Sequence, residues 1–391
     1  MRNDLIQPIV KTWLAHAESK TPWIDPALAA GAEFAASDYA DPAHLALERE
    51  RLFARSPQAV ALTADVPDIG SWVTRDQFDL PLVISRGADG VVRAMANVCA
   101  HRGGQVVGGL GVGSDRGCSR RHACAYHAWT YDSGGTLVGV PDQGSFPTVE
   151  VPGPGLPSLP CVESDGVIWV LPDVGAIGSS DLAAPDLGVT AVDLAHFDIG
   201  GHEHWRSHRF DLAMNWKLVV DTFLEPYHFA SLHRNTVGPI FFPNLCYADR
   251  HGPYVRHLIP RRSVADLADQ PPDTWDIVPH TALVYVLFPA TVFVMQIDHI
   301  EVWRVWPQGD DPGRCWCDLD FYIPKAPKTE SSERHWENNW RLTIDTVDHE
   351  DFRAMAGVQR GVASGAIDTV RFGANEPALI MYHEALAAAL T

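Results

Sequence analysis

Four side chains between residues 215 and 233, in NWKLVVDTFLEPYHFASLH, are of the types that bind metal ions: Asp221, Glu225, His228 and His233. On an α-helix the first three fall at i, i+4 and i+7 and project from one face. His233 does not, because it lies roughly 140° around the helix from His228. Both histidines reach one ion only if the helix distorts or ends between them. Pro226, which cannot donate to the carbonyl of Thr222, loosens that turn. In a chain with 18 histidines such a pair also arises where it only caps or packs, so a third ligand has to decide. Residues 333–365 offer one. Trp336, Trp340, Ile344, Val347, Met355, Val358 and Val362 make an apolar helical stripe with a gap at Asp351. Asp345, Asp348 and Glu350 lie off the stripe and are expected in solvent. Asp351 faces the core, where a carboxylate needs a cation, a core arginine or hydrogen bonds. His228, His233 and Asp351 together make the two-nitrogen, one-carboxylate set that holds Fe(II) and leaves positions open for dioxygen.

A second set of ligands lies upstream. Cys99 and His101 form one pair, in NVCAHRGG, and Cys124 and His127 another, in CAYHAWTYDSGGTLVGVP. Cys2His2 is a common tetrahedral zinc set, and the spacings alone do not exclude it. The same Cys-then-His order in both loops also lets the two cysteines hold one iron and the two histidines the other, as in a Rieske [2Fe-2S] centre. Trp129 and Tyr131 offer apolar cover that limits solvent access to a cluster.

Taken together, these segments resemble the oxygenase components of Rieske non-haem iron oxygenases. NVCAHRGG and CAYHAWTYDSGGTLVGVP are similar to the Rieske domain, NWKLVVDTFLEPYHFASLH to the iron-binding helix, and HEDFRAMAGVQRG to the helix of the third ligand. The resemblance runs from about residue 38 to the C-terminus. It implies that Cys99, His101, Cys124 and His127 hold the cluster while His228, His233 and Asp351 hold the mononuclear iron. It implies an α+β protein, an antiparallel β Rieske [2Fe-2S] domain plus a helix-grip (START/SRPBCC-like) catalytic domain with a curved antiparallel sheet. It further implies a homotrimer in which Glu225 bridges each iron to the cluster of the neighbouring subunit. No full GxGxxG occurs, since GGLGVG at 108–113 lacks the spacing and a following helix. Electrons from NAD(P)H are therefore expected through a separate reductase, with or without a ferredoxin.

Three positions depart from the family pattern. The loop between His101 and Cys124 holds 22 residues (102–123), several more than usual. Ala125 and Ala128 stand where proline and glycine are common. Glu225 stands where aspartate is usual and resembles the branch that oxidises quaternary ammonium compounds.

At 391 residues the chain exceeds one typical core. We expect an N-terminal helical segment (1–40) packing on the catalytic domain, a Rieske domain (41–170) and a catalytic domain (171–391). A formal charge of −19 leaves no basic footprint for nucleic acid. No apolar run reaches membrane-span length, and MRNDLIQPIVKTWL carries acid and proline instead of a signal core, so a cytoplasmic protein is expected. Seven cysteines are spread too thinly for a disulfide framework. TALVYVLF, TVFVMQID, EVWRVWP and CWCDLDFYI read as consecutive antiparallel strands, whereas TVGPIFFPNLCYADRHGPYVRHLIPRRS reads as loop.

Thr222, Phe229, Tyr285, Phe288 and Phe293 are candidate pocket residues. Their apolar and aromatic character suits an aromatic ring, and aromatic faces also bind quaternary ammonium groups. The expected activity is that of a terminal mono- or dioxygenase using O2 to hydroxylate or oxidatively demethylate a small organic substrate, an aromatic compound first. A monooxygenase of quaternary ammonium or N-methyl compounds is the alternative. A Rieske electron carrier is the non-enzyme alternative, and it has no use for the iron triad.

Overall fold

A computed structural model describes residues 3–19, 21–76, 80–108, 115–179 and 181–391. Beyond Gly108, the GGLGVG stretch lies outside them. The chain forms two compact units, one of Met1–Leu52, Leu187–His196 and Glu203–Thr391, the other of Phe53–Asp186 and Phe197–His202. No described helix is long and apolar enough to cross a membrane.

The larger unit is built on a seven-stranded antiparallel sheet. Its strand order is Glu203–Leu212, Cys315–Ile323, Ile300–Pro307, Thr291–Met295, Thr281–Leu287, Tyr254–Pro260, Tyr247–His251. The strands Thr281–Leu287, Thr291–Met295 and Ile300–Pro307 are buried at every position, so both faces of the central sheet are covered. The stretch read as loop contains a hairpin, Tyr247–His251 paired with Tyr254–Pro260. Arg256 and His257 disguise it, because they interrupt the apolar run. Arg256 stays buried by reaching Asp249 Oδ1 with Nε at 2.9 Å and Asp193 Oδ2 with Nη1 at 3.1 Å. The edge strand Glu203–Leu212 is charged and largely open to solvent. Arg206 reaches Glu337 at 2.8 Å and Arg209 reaches Asp318 at 2.6 Å, charges that discourage edge pairing with another chain.

Two helical segments carry the ligands. Asn215 caps the first by accepting the Lys217 N–H at 3.0 Å, and the helix Trp216–Asp221 ends well before Pro226. A 3-10 turn, Tyr227–Ala230, follows. The second begins at the Thr329–Ser332 capping box and runs as Glu330–Thr346. It then widens to a π turn, Val347–Phe352, before continuing as Arg353–Ala363. Such turns change the phase of the side chains and frequently sit at functional sites. At the N-terminus the helix Asn3–Ser19 buries Ile6, Ile9, Val10 and Trp13, packing against Arg262–Asp269 and Pro272–Thr274 of the same unit.

Among the described residues, the smaller unit holds three antiparallel sheets of five, three and three strands. The described residues of the long loop include two short strands: Arg116–Cys118 pairs with Ser71–Arg75, and Arg121–Ala123 with Thr130–Asp132. Arg116 Nη1 is tied to buried Asp65 Oδ1 at 2.8 Å.

Candidate metal centres

In the larger unit the early end of the first helix lets the chain fold back, and His228, His233 and Asp351 converge. His228 Nε2 and His233 Nε2 are 3.0 Å apart. Asp351 Oδ1 lies 3.0 Å from His233 Nε2 and 3.5 Å from His228 Nε2. The opposite ring nitrogens fix the tautomers. His228 Nδ1 meets Glu225 Oε1 closely, while Glu225 Oε2 accepts the His228 backbone N–H at 3.0 Å. His233 Nδ1 donates to Glu350 Oε2 at 2.6 Å, and Thr236 Oγ1 donates to the same oxygen at 2.6 Å. With both Nδ1 protons given to carboxylates, the neutral rings present two bare Nε2 lone pairs to each other and to a carboxylate oxygen. Asp351 Oδ1 is buried and its approach to His233 lacks hydrogen-bond geometry.

Three acceptors that close repel unless a cation sits among them. An ion about 2.1 Å from each donor, with right angles between them, sets donors about 3.0 Å apart, against about 3.4 Å for a tetrahedron. Two of the three separations match the facial octahedral value. Burial holds the Asp351 carboxyl above its ordinary value despite the pull of His233. For His233 burial is the largest single influence and pulls the imidazolium down, but Asp351 and Glu350 together outweigh it and raise it. The residues fit a metal ion.

Two carboxylates lie elsewhere than the helical pattern predicts. Glu350, expected in solvent, is a further carboxylate of the site, because the π turn brings both Glu350 and its neighbour Asp351 to His233. Asp221, expected on the metal face, instead accepts the Tyr39 hydroxyl at 2.8 Å and pairs with His383 Nε2 at 2.9 Å.

A cavity of ≈350 Å³ opens onto the three donors. Thr222 and Phe229 line it, as do Phe223, Phe241, Val284 and Val294. Tyr285, Phe288 and Phe293 are not among its lining residues. Strand alternation accounts for two of these: Val284 pairs with Val294 on the cavity face, so Tyr285 and its partner Phe293 point to the other. Tyr285 there donates to Asp193 Oδ2 at 3.0 Å.

In the smaller unit the two ligand loops share one backbone design. The Cys99 N–H donates to Gly104 O at 2.8 Å and the Gly103 N–H to Cys99 O at 2.9 Å. In the same way the Cys124 N–H donates to Trp129 O at 2.9 Å and the Ala128 N–H to Cys124 O at 2.8 Å. The fourth residue after each cysteine is left-handed, with φ of 76° at Gly103 and 58° at Ala128. That is the physical reason a glycine suits position 128, where this chain holds an alanine in a disfavoured conformation.

Cys99 and Cys124 are buried, and the His101 and His127 rings stand 4.6 Å apart. His101 stacks on Trp129 at 5.0 Å and meets the edge of Phe146 at 5.4 Å. Its Nδ1 is buried with no hydrogen-bond partner, as a metal-ligating nitrogen would be. The Tyr131 hydroxyl, bonded by the Ala100 N–H at 3.0 Å, lies 3.4 Å from Cys99 Sγ. A single tetrahedral zinc would draw all four donors to within about 4 Å of one another. Among the described residues, only His228, His233 and Asp351 form a set of three donors within 4.8 Å of one another. The wider spread of the cysteines and histidines fits two irons.

Comparison with known proteins agrees with both centres. Residues 56–160 match the Rieske [2Fe-2S] domain family, and residues 199–391 match the ring hydroxylating alpha subunit (catalytic domain) family. The anthranilate 1,2-dioxygenase large subunit of Burkholderia cepacia is 34% identical over 201 residues, 48% of this chain and 44% of that protein. The carnitine monooxygenase oxygenase subunit of Escherichia coli K12 is 29% identical over 197 residues, 50% of each. The chain spans about half the length of the curated relatives it matches first. The fold is shared with the quaternary ammonium Rieske monooxygenase CntA in complex with L-carnitine, at a TM-score of 0.75 and 20% identity over 92% of this chain and 96% of that one. A cluster-holding unit with paired Cys and His loops, followed by a sheet-and-helix unit with a convergent two-histidine, one-aspartate site, places this chain among the alpha subunits of the Rieske non-haem iron oxygenases.

Proposed function

We propose that the chain is the terminal oxygenase component of a Rieske oxygenase system. It takes electrons from NAD(P)H through a separate reductase, with or without a ferredoxin, and hydroxylates or oxidatively demethylates a small organic substrate, an aromatic compound in the first instance. The observation that carries this reading is the convergence of His228, His233 and Asp351 at a cavity of ≈350 Å³ with an apolar, phenylalanine-rich wall. Cys99, His101, Cys124 and His127 would hold the cluster, and His228, His233 and Asp351 the mononuclear iron. When bound, these groups supply single electrons and a place for dioxygen activation.

The remaining work belongs to the protein. Glu225 and Glu350 hold the Nδ1 protons of the two imidazoles, which orients both rings and raises their basicity as ligands. Trp129 and Phe146 cover His101. Thr222, Phe223, Phe229 and Phe241 shape the wall against which a substrate is oriented and from which water is displaced. We further assign Glu225 as the link to the cluster of the neighbouring subunit in a homotrimer. None of the seven cysteines is paired in a disulfide, Cys99 and Cys124 being kept for the cluster, and we assign the protein to a reducing cytoplasm. Oxidation of a quaternary ammonium or N-methyl compound is the second reading. It is favoured by Glu225 and by the carnitine monooxygenase relative.

Iron analysis together with oxygen uptake tests the proposal. Roughly three iron atoms per chain and substrate-dependent uptake are expected. About two iron atoms and no uptake with any aromatic or methylated substrate would make the chain an electron carrier instead.

A further inference from the structure

The polar groups lining the cavity are unequally satisfied. Glu301 accepts from Thr343 Oγ1 at 2.7 Å and Trp303 Nε1 at 3.1 Å. Asp298 engages His299 Nδ1 at 2.9 Å and His335 Nε2 at 2.6 Å. Asp351 belongs to the metal donors. Outside the metal donors, the two carboxylates of the described lining therefore already have hydrogen-bond donors. The one guanidinium is less well satisfied. Arg261 is held in place by its backbone N–H, which donates to His280 O at 2.7 Å. Its Nη2 donates to Gln296 Oε1 at 2.6 Å, a neutral acceptor, and its Nε is buried with no partner. Burial pulls the guanidinium below its ordinary value, and the charge of Asp298 offsets this only in part.

The same residue bears on a cationic substrate. Arg261 lies over the ring of Phe241 at 4.9 Å, so that aromatic face already has its cation. A quaternary ammonium group entering beside that ring would meet a fixed positive charge.

We infer that Arg261, with Gln296, is a carboxylate-binding subsite, and that the substrate is a small organic anion whose carboxylate docks there while its apolar body lies along the wall toward His228, His233 and Asp351. A guanidinium with donors left over matches the two oxygens of a carboxylate, and loss of one charge-assisted pair of this kind weakens binding about 10- to 100-fold. This rests on the reading of the cavity as the substrate site of an oxygenase and narrows it to one chemical class.

The test is calorimetric titration of the metal-loaded protein with benzoate, its neutral isostere benzamide, and benzyltrimethylammonium. Benzoate is expected to bind at least about tenfold more tightly than benzamide, with benzyltrimethylammonium weakest. Arg261→Gln is expected to erase the benzoate preference while leaving benzamide, the internal check on an intact cavity, unchanged. If Arg261→Gln does not fold, Gln296→Glu serves, because a carboxylate beside Arg261 occupies it from within and removes the same preference. Asp351→Ala is expected to keep the preference, which separates Arg261 from direct ligation of iron. Equal binding of benzoate and benzamide, no benzoate binding at millimolar concentration, tightest binding of the cation, or a preference that survives both Arg261→Gln and Gln296→Glu overturns the inference. A benzoate preference in a protein without mononuclear iron or oxygen uptake would overturn the oxygenase reading and leave the subsite standing; uptake without the preference does the reverse.

Discussion

Replacing Glu350 tests whether the unexpected carboxylate is part of the metal site. Removing the acidic partner of a metal-bound imidazole typically lowers metal affinity 10- to 100-fold, or about 1.4–2.7 kcal/mol. Two features set the two variants within this range. Glu350 Oε2 serves both His233 Nδ1 and Thr236 Oγ1, each at 2.6 Å, and the His233 side chain is only 2% exposed, so water does not readily replace a lost acceptor. Glu350 itself is 22% exposed, which keeps the loss below that of a fully buried charge. Glu350→Gln retains an acceptor oxygen without the charge and is expected to weaken ferrous iron about tenfold; Glu350→Ala, which strands both donors, about 100-fold. Protein stripped of mononuclear iron is titrated with ferrous ion while the Rieske absorbance reports an unchanged cluster. Asp348→Ala is the control, since the ion pair of Asp348 among the described residues is with the exposed His349, at 3.7 Å. If Glu350→Ala binds iron as tightly as the control, His233 does not depend on Glu350 and the account of its tautomer is wrong.

Four further outcomes are expected. Asp351→Ala loses the mononuclear iron and keeps the cluster colour; loss of both together would contradict separate sites. Ala128→Gly relieves a left-handed alanine and raises stability by about 1 kcal/mol, while Gly103→Ala, whose added methyl meets nothing within 4 Å, lowers it by a similar amount through backbone strain alone, both read by denaturant unfolding. Tyr285→Phe, removing the hydroxyl bonded to Asp193, costs stability of about 1 kcal/mol and leaves KM unchanged, whereas Phe229→Leu in the cavity wall changes KM and leaves stability nearly unchanged. Glu225→Gln, in a protein that keeps iron and cluster, slows cluster reoxidation in a single turnover with substrate and O2; reoxidation at the unmutated rate removes Glu225 from the electron path.

The convergence of His228, His233 and Asp351 was legible because two histidines at a helix end and a carboxylate facing the core need a common partner, and the two Cys/His loops share their backbone turn. What escaped was everything that depends on phase. Glu350 reads as a solvated residue on an α-helix, and only the π turn at Val347–Phe352 brings it beside Asp351. Asp221 reads as a ligand only if its helix continues past it, and the helix stops there. Tyr285 and Phe293 were as plausible as Val284 and Val294 for the pocket, because a strand buried on both faces has no polar alternation to mark its inner side. The hairpin at 247–260 was hidden by Arg256, whose two acidic partners are far apart in sequence and close only after folding. The chain also leaves the smaller unit at Asp186 and returns to it for Phe197–His202, an excursion that no local sequence signal marks.

The central claim is that the larger unit carries its own iron, held by His228, His233 and Asp351 and independent of the cluster. Nitric oxide added anaerobically to the reduced, iron-loaded protein tests it by electron paramagnetic resonance. The account predicts the signal of a mononuclear ferrous nitrosyl beside that of the reduced Rieske cluster, and in Asp351→Ala the cluster signal alone. A nitrosyl signal of unchanged intensity in Asp351→Ala, or none in the fully loaded unmutated protein, would contradict it.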